Sequence, residues 1–500
     1  MDDTKRVEEL EMNGFKSSVK DEVEAVVLKT TKNGIPLVPQ PSNDPDDPLN
    51  WSSFAKHAVL AVMAFDSLLV KFSATLIAPG AHALAEEFGV ALSKATYPGT
   101  APSIMYALSP LLWIPLSHRV GRRPVLLIGN LIALVAAIGV AKSQSYAAAL
   151  GCRIVMGFGG SVGLCIAPAA ISDMFFLHEK GTRMGMNSIL LVIAPYVGGV
   201  AGGSVQYNQS LGWRWSMYIA AILYAFQVFL QIFLVPETIY ERDLTWSSTA
   251  QEEKSLYRRL GFRTPTNPLN ETWAQTFRRP YAMFAYPAVL LPSFWFSVFV
   301  MSEVANTAGF ALNFGSTSRF AFNTAQIGFC FFAGLIGAFL GETIAGPLCD
   351  LFVRRTIQRG ETWVSEKYLI LLLPGIITGS AGLILYGFEL EYGASWVAPL
   401  AAISLFVFGQ EILVTVLLTY MIDCYPNQAA EVAIVFQFFF SIQCFHPPFY
   451  TPQWIARSAG AKVPYLVYGL LPIVLFPFCV GIFMWRGQKI RAKGALIKMH

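Results

Sequence analysis

The sequence predicts an all-α membrane protein whose twelve transmembrane helices form two six-helix bundles. Three observations carry this. Of the 500 residues 54% are hydrophobic and only 14% charged, with a mean hydropathy of +0.49, whereas a soluble domain averages about 25% charged residues. A chain of this length with so few charges cannot cover itself in water, so its solvent is lipid. Twelve apolar runs each approach the roughly 20 residues that a helical bilayer crossing needs. One basic string is also written twice, "IPLSHRVGRR" from Ile114 and "GPLCDLFVRR" from Gly346, at an offset of 232 residues.

The elements follow in order. Residues 1–54 are charged, then rich in Pro and Asp, and read as a disordered tail without a cleavable leader. Helices 1 to 6 fall at about 56–79, 98–117, 124–142, 146–170, 184–207 and 214–236, giving an N-terminal bundle over 55–236. The polar segment 237–285 has no spanning run and forms the central loop. Helices 7 to 12 fall at about 286–310, 325–349, 368–388, 395–421, 430–450 and 464–485. They make a C-terminal bundle over 286–486, and 487–500 is a second tail.

Lysine and arginine set the orientation. With the N-terminal tail in the cytosol, the internal loops and C-terminal tail on that side hold 21 Lys/Arg. The opposite loops hold six: Lys94, Lys142, Arg214, Arg319, Arg457 and Lys462. Both termini and the central loop are therefore expected in the cytosol. The net charge of +4 adds little. The seven cysteines are scattered without paired spacing, which fits small packing residues rather than metal ligands.

Six plus six helices, a central loop and a repeated basic string between the second and third helix of each half resemble the major facilitator superfamily over residues 48–486. The second copy matches the family's loop motif through Gly346, Pro347, Leu348, Asp350, Arg354 and Arg355. The first matches through Pro115, Leu116, Arg119, Gly121, Arg122 and Arg123, and departs at Ile114, where the family has Gly, and at His118, where it usually has an acid. Arg153, Gly157 and Gly159 look like the helix-4 Arg motif. "APYVGG" at 194–199 is similar to the helix-5 antiporter motif, with Ala194 for its first Gly. "DPLNWS", "GWRW" and "PETIYER" resemble the fungal twelve-helix drug:proton antiporter branch.

The resemblance implies a cytosolic gate. Its loop acid caps a helix of the opposite bundle, where the helix dipole favours an anion. Asp350 is expected against helix 5. His118 is expected to hydrogen-bond Glu431 at the start of helix 11, a weaker contact sensitive to cytosolic pH; a solvated loop His118 is the alternative. Pro195, Gly198 and Gly199 are expected to make helix 5 a hinge, since Pro deletes a helical hydrogen bond and Gly admits a neighbouring backbone.

Asp66, Glu303, Glu342 and Glu411 lie inside apolar runs. Intramembrane acids are costly and mark cavities and proton pathways, and a carboxyl removed from water holds its proton more readily. Structural hydrogen bonding is the alternative for each. Lys71 and Glu303 both lie 43 residues ahead of their copies of the string, so they occupy equivalent places on helices 1 and 7 and are expected to face one another; the alternative is an outward Lys71 and a locally bonded Glu303. Arg153 cannot itself carry a proton and is expected to hold a carboxylate ionised or bind substrate.

The six histidines are dispersed and no nucleotide-binding Gly-Lys-Ser/Thr string occurs. An enzyme and an ATP-driven pump are thereby disfavoured. The expected function is secondary active transport, as proton-coupled efflux of a small hydrophobic drug, toxin or secondary metabolite. Transport of organic cations such as polyamines, or a non-transporting sensor, stands as the alternative. Expected partners are substrate, protons and the bilayer, for a monomer without cofactor, metal or nucleic acid. The plasma membrane is the expected site, a vacuolar or other internal membrane the alternative.

Overall fold

The computed structural model describes residues 29, 37, 39–208, 210–240, 272–316, 318–359, 364–425, 428–458 and 460–494. The expected disordered stretch 1–28, residues 241–271 of the central loop and the final residues 495–500 lie outside the described residues. Every regular element described is helical. Eleven helical stretches are long and apolar enough to cross a bilayer. We number the crossings α1 (Ser53–Thr75), α3 (Arg122–Ala141), α4 (Tyr146–Gly160 continued by Val162–Met174), α5 (Leu177–Tyr207) and α6 (Gly212–Leu234). In the second half they are α7 (Pro287–Phe314), α8 (Thr324–Gln358), α9 (Leu372–Tyr392), α10 (Val397–Cys424), α11 (Ala429–Phe445 and Pro447–Arg457) and α12 (Lys462–Phe476, extended to Gly494). The twelfth crossing, α2, is three segments end to end: Tyr97–Thr100, Pro102–Leu108 and Pro110–Val120. Pro98, Pro102, Pro110 and Pro115 give no N–H to the helical ladder, so one apolar run becomes a segmented helix.

The end of the expected tail is ordered. Asp47 is buried and accepts from the Ser42 N–H at 2.9 Å and the Leu49 N–H at 3.0 Å. Asn50 donates to the carbonyls of Ser42 and Asp44. The "DPLN" string thus folds into a capped turn before α1, and Lys56 of α1 donates to the Leu49 carbonyl at 2.8 Å.

α5 sits between the bundles and shows two glycine faces four residues apart. Gly198 and Gly202 meet the backbone of α1 at Phe72 and Leu76. Gly199 meets the Phe331 ring of α8, and a Cβ on Gly203 would lie 2.6 Å from the Gly328 Cα. Only glycine permits these approaches. They fall in the half of α5 away from the basic loops. On that same face, the Tyr97 and Phe449 rings lie 4.4 Å apart and His82 Nε2 lies 3.1 Å from the Ala311 carbonyl, joining the two bundles. Toward the basic loops, Gly181 and Gly185 of α5 and Gly346 of α8 face open space. The bundles are therefore packed together at the face away from the basic strings.

Candidate functional site

The polar centre lies where α5, α7, α8, α10 and α1 converge. Glu411 of α10 is 4% exposed and feels the carboxyls of Glu303 on α7 and Glu342 on α8. α8 reaches it because Gly341 lets the helices close, a Cβ there lying 2.7 Å from the Glu411 Cβ. Gln410 Nε2 donates to Glu303 Oε2 at 3.1 Å, and Thr415 Oγ1 to Glu342 Oε2 at 3.3 Å. Tyr196, next to Pro195 on α5, lies within electrostatic range of Glu303 and Glu411. Its buried hydroxyl, like Gln410 Oε1, has no hydrogen-bond partner. Three of the four predicted intramembrane acids thus gather.

Lys71 faces this centre from α1. Its Nζ lies 5.2 Å from the Tyr106 ring centroid of α2 and 5.0 Å from that of Phe440 on α11, so it sits in a cation–π sandwich between the bundles. Lys71 and Glu303 act on one another electrostatically without closing to an ion pair.

Asp66 is elsewhere. It is wholly buried within the N-terminal bundle, its Oδ2 accepting from Asn130 of α3 at 3.1 Å and Gln231 of α6 at 3.0 Å. It is one α1 turn and more from Lys71, on the face turned to α3 and α6, where its contacts match the structural hydrogen bonding given as the alternative for each acid.

Arg153 also departs from expectation. It binds three carbonyls and no carboxylate: Nε to Pro98 at 2.6 Å, Nη1 to Ser73 at 3.0 Å and Nη2 to Ala74 at 2.7 Å. The reason lies in the sequence. Pro102 has no N–H for the Pro98 carbonyl four residues back, and Ser73 and Ala74 are among the last carbonyls of α1, which lack helical donors. A fully buried guanidinium supplies all three and complements the negative end of α1.

On the basic face, Arg122 pairs with Asp173 at 2.6 Å. The N–H groups of Arg122 and Arg123, which open α3, donate to Glu237 at 3.0 and 3.1 Å. Glu237 also accepts from the Thr238 and Ile239 N–H groups. Burial pushes its carboxyl up, while these N–H groups and the Arg122 charge pull it back. Arg119 donates twice to Thr276 on a linker helix, Trp273–Ala282, and lies over the Trp273 ring. That helix packs against both α2 and the start of α11.

Asp350, Arg354 and Arg355 are exposed. Glu431 opens α11, and the linker helix packs against both α11 and the last segment of α2, which carries His118. Pro195 and Gly199 lie where α5 meets the acid cluster and α8. Gly198 is against α1, where Thr75 Oγ1 donates to the Pro195 carbonyl at 2.6 Å.

Counting acids missed the amides and phenols: Tyr196, Gln410, Asn130, Gln227 and Gln231. Their signal was available as neutral polar residues inside apolar runs, with Gln227 and Gln231 four apart on one helix face. Glu237 lies in the "PETIYER" string, where nothing local in the sequence signals that it accepts from the start of α3.

Comparison with known proteins agrees with this geometry. The family model of the Major Facilitator Superfamily matches residues 63–445. An ascochitine biosynthesis cluster transporter of Didymella fabae is 26% identical, over 95% of this chain and 95% of its own. A multidrug transporter of Candida albicans named FLU1 is 26% identical, over 90% of this chain and 74% of its own. A partially occluded inward-open structure of the E. coli xylose transporter XylE shares the fold at a TM-score of 0.59 and 15% identity, covering 87% of this chain and 98% of that one. The chain belongs to the Major Facilitator Superfamily and is an integral membrane transporter of small molecules, not an enzyme.

Proposed function

We propose that the chain exports a small hydrophobic drug, toxin or secondary metabolite in exchange for protons, by alternating access. The observation that carries this is the cluster of buried Glu411 with half-buried Glu303 and Glu342 at the junction of the bundles, beside Tyr196 and facing Lys71 between Tyr106 and Phe440. The names of relatives, a multidrug transporter and a biosynthesis-cluster transporter, support the substrate class.

The Lys/Arg bias puts the basic face in the cytosol, and the close α5–α1 and α5–α8 packing at the other face supports reading this as an inward-facing state. Substrate enters from the cytosol while a cluster carboxyl is ionised. The bundles rock about α5, whose glycine faces slide on α1 and α8. A proton from the outer side then neutralises the carboxyl and releases substrate. Glu411, the most enclosed of the three, and Glu303, which faces Lys71, are the proposed carriers. In the outward-open state the basic face closes and Asp350 reaches the start of α5. Arg153 acts as a fastener of α1, α2 and α4. The protein works as a monomer in the plasma membrane, with both termini cytosolic.

A second reading has a specific observation behind it. Three carboxyls against one Lys71 leave the centre with surplus negative charge, which suits an organic cation such as a polyamine. A deletion strain and an expression strain, screened for toxin resistance and for radiolabelled polyamine uptake with and without a protonophore, separate the readings. Flux indifferent to the protonophore rejects proton coupling. Ligand-dependent flux in vesicles distinguishes a carrier from a sensor.

A further inference from the structure

Three buried oxygens of the cluster around Asp66 are left without a donor. Asn130 Nδ2 spends its hydrogens on Asp66 Oδ2 at 3.1 Å and Gln231 Oε1 at 3.2 Å. Gln231 Nε2 donates to Asp66 Oδ2 at 3.0 Å, and Gln227 Nε2 to the Val62 carbonyl at 3.1 Å. Left over, with no partner, are Asp66 Oδ1, Asn130 Oδ1 and Gln227 Oε1, all on side chains that are 0% exposed. Turning the amides over does not mend this. A flipped Asn130 sets its oxygen against Asp66 Oδ2 and Gln231 Oε1, and a flipped Gln227 sets its oxygen against the Val62 carbonyl. The bonds that are made therefore fix the orphans in place. Among the described residues Asp66 is also in no ion pair, so when it is ionised its charge lacks a partner in surroundings where an unpaired ion is costly.

We propose that Asp66, Asn130 and Gln227 bind a small monovalent cation inside the N-terminal bundle, apart from the central acid cluster. One cation answers both deficits, serving three lone oxygens and balancing one carboxylate. A proton on Asp66 Oδ1 would satisfy only one of the two amide oxygens. The donor set is all oxygen, which suits a hard ion. A single carboxylate matches a single charge, and among the described residues no group of three or more His, Cys, Asp or Glu is placed for a multivalent metal. The site bridges α1, α3 and α6, so occupancy braces the bundle that must move as one body. The inference does not depend on which solute the central cavity carries.

The test uses the purified full-length protein and needs no substrate. Melting is followed as sodium rises from about 1 to about 200 mM, with choline holding ionic strength constant. Ligand binding to the folded state alone raises stability with concentration, so sodium should raise the melting temperature by about 2 °C or more. Asp66→Asn should abolish the rise. Gln227→Met, which keeps the side-chain volume and removes the oxygen, should at least halve it, and decides the matter if the Asp66 variant does not fold. Equal melting in sodium and choline overturns the proposal. So does a sodium effect unchanged in both variants, or a stabilisation that follows acidification alone, which would make the occupant a proton.

Discussion

Replacing Arg153 by methionine tests the reassignment of the helix-4 arginine from acid partner to carbonyl fastener. Methionine fills similar space but leaves the carbonyls of Pro98, Ser73 and Ala74 without their donors. Each bond from a charged donor is worth about 1.5–3 kcal/mol net, and a buried unpaired acceptor costs about 1–3 kcal/mol. Against this stands the desolvation of the guanidinium, which methionine relieves. The remainder is a loss of about 3–5 kcal/mol, or a fall in melting temperature of about 5 °C or more. Arg153→Lys reaches fewer of the three carbonyls and should fall between. The assay is a thermal melt of purified protein, run beside the pH profile of transport. A methionine variant that melts with the wild type while its pH profile moves would refute the fastener and restore an acid partner.

Other outcomes follow from the same geometry. Lys71→Glu and Glu303→Lys should each impair transport, and the double exchange should recover about tenfold over the worse single variant, a coupling of about 1.4 kcal/mol; no recovery removes the pair from the mechanism. Glu237→Ala strips the acceptor from four backbone N–H groups, those of Arg122 and Arg123 at the start of α3 and those of Thr238 and Ile239, and should cost about 2–4 kcal/mol in a thermal melt, with Glu237→Gln losing less. Gly203→Val forces a side chain against Gly328 and should part the closed face. Buried Cys330, two residues along α8, should then react faster with a membrane-impermeant thiol reagent added on that side; an unchanged rate argues against α5–α8 closure there. Glu411→Gln should make transport less dependent on a proton gradient, and undiminished protonophore sensitivity would move the carrier role to Glu303 or Glu342.

The sequence by itself settled the architecture, because lipid leaves helical backbone few alternatives. Span length, the doubled string and its 232-residue offset are one-dimensional signals. That offset also paired Lys71 with Glu303 and put both at the centre. What the sequence could not decide was the rotation of each helix about its axis. Asp66 and Lys71 sit five residues apart on α1, and only packing shows that one turns to α3 and α6 while the other meets the opposite bundle. Arg153 needed partners whose deficiency, a proline-freed carbonyl and a helix end, is legible in sequence but whose proximity is not. The doubled basic string is a local signal with a state-dependent meaning. The latch proposed for it would need two helices to approach at the basic face, whereas the close approach of α5 and α8 here is at the other face. Residue identity fixed which groups were available; the tertiary structure fixed which of them meet, because burial and hydrogen bonding depend on neighbours that lie far apart along the chain.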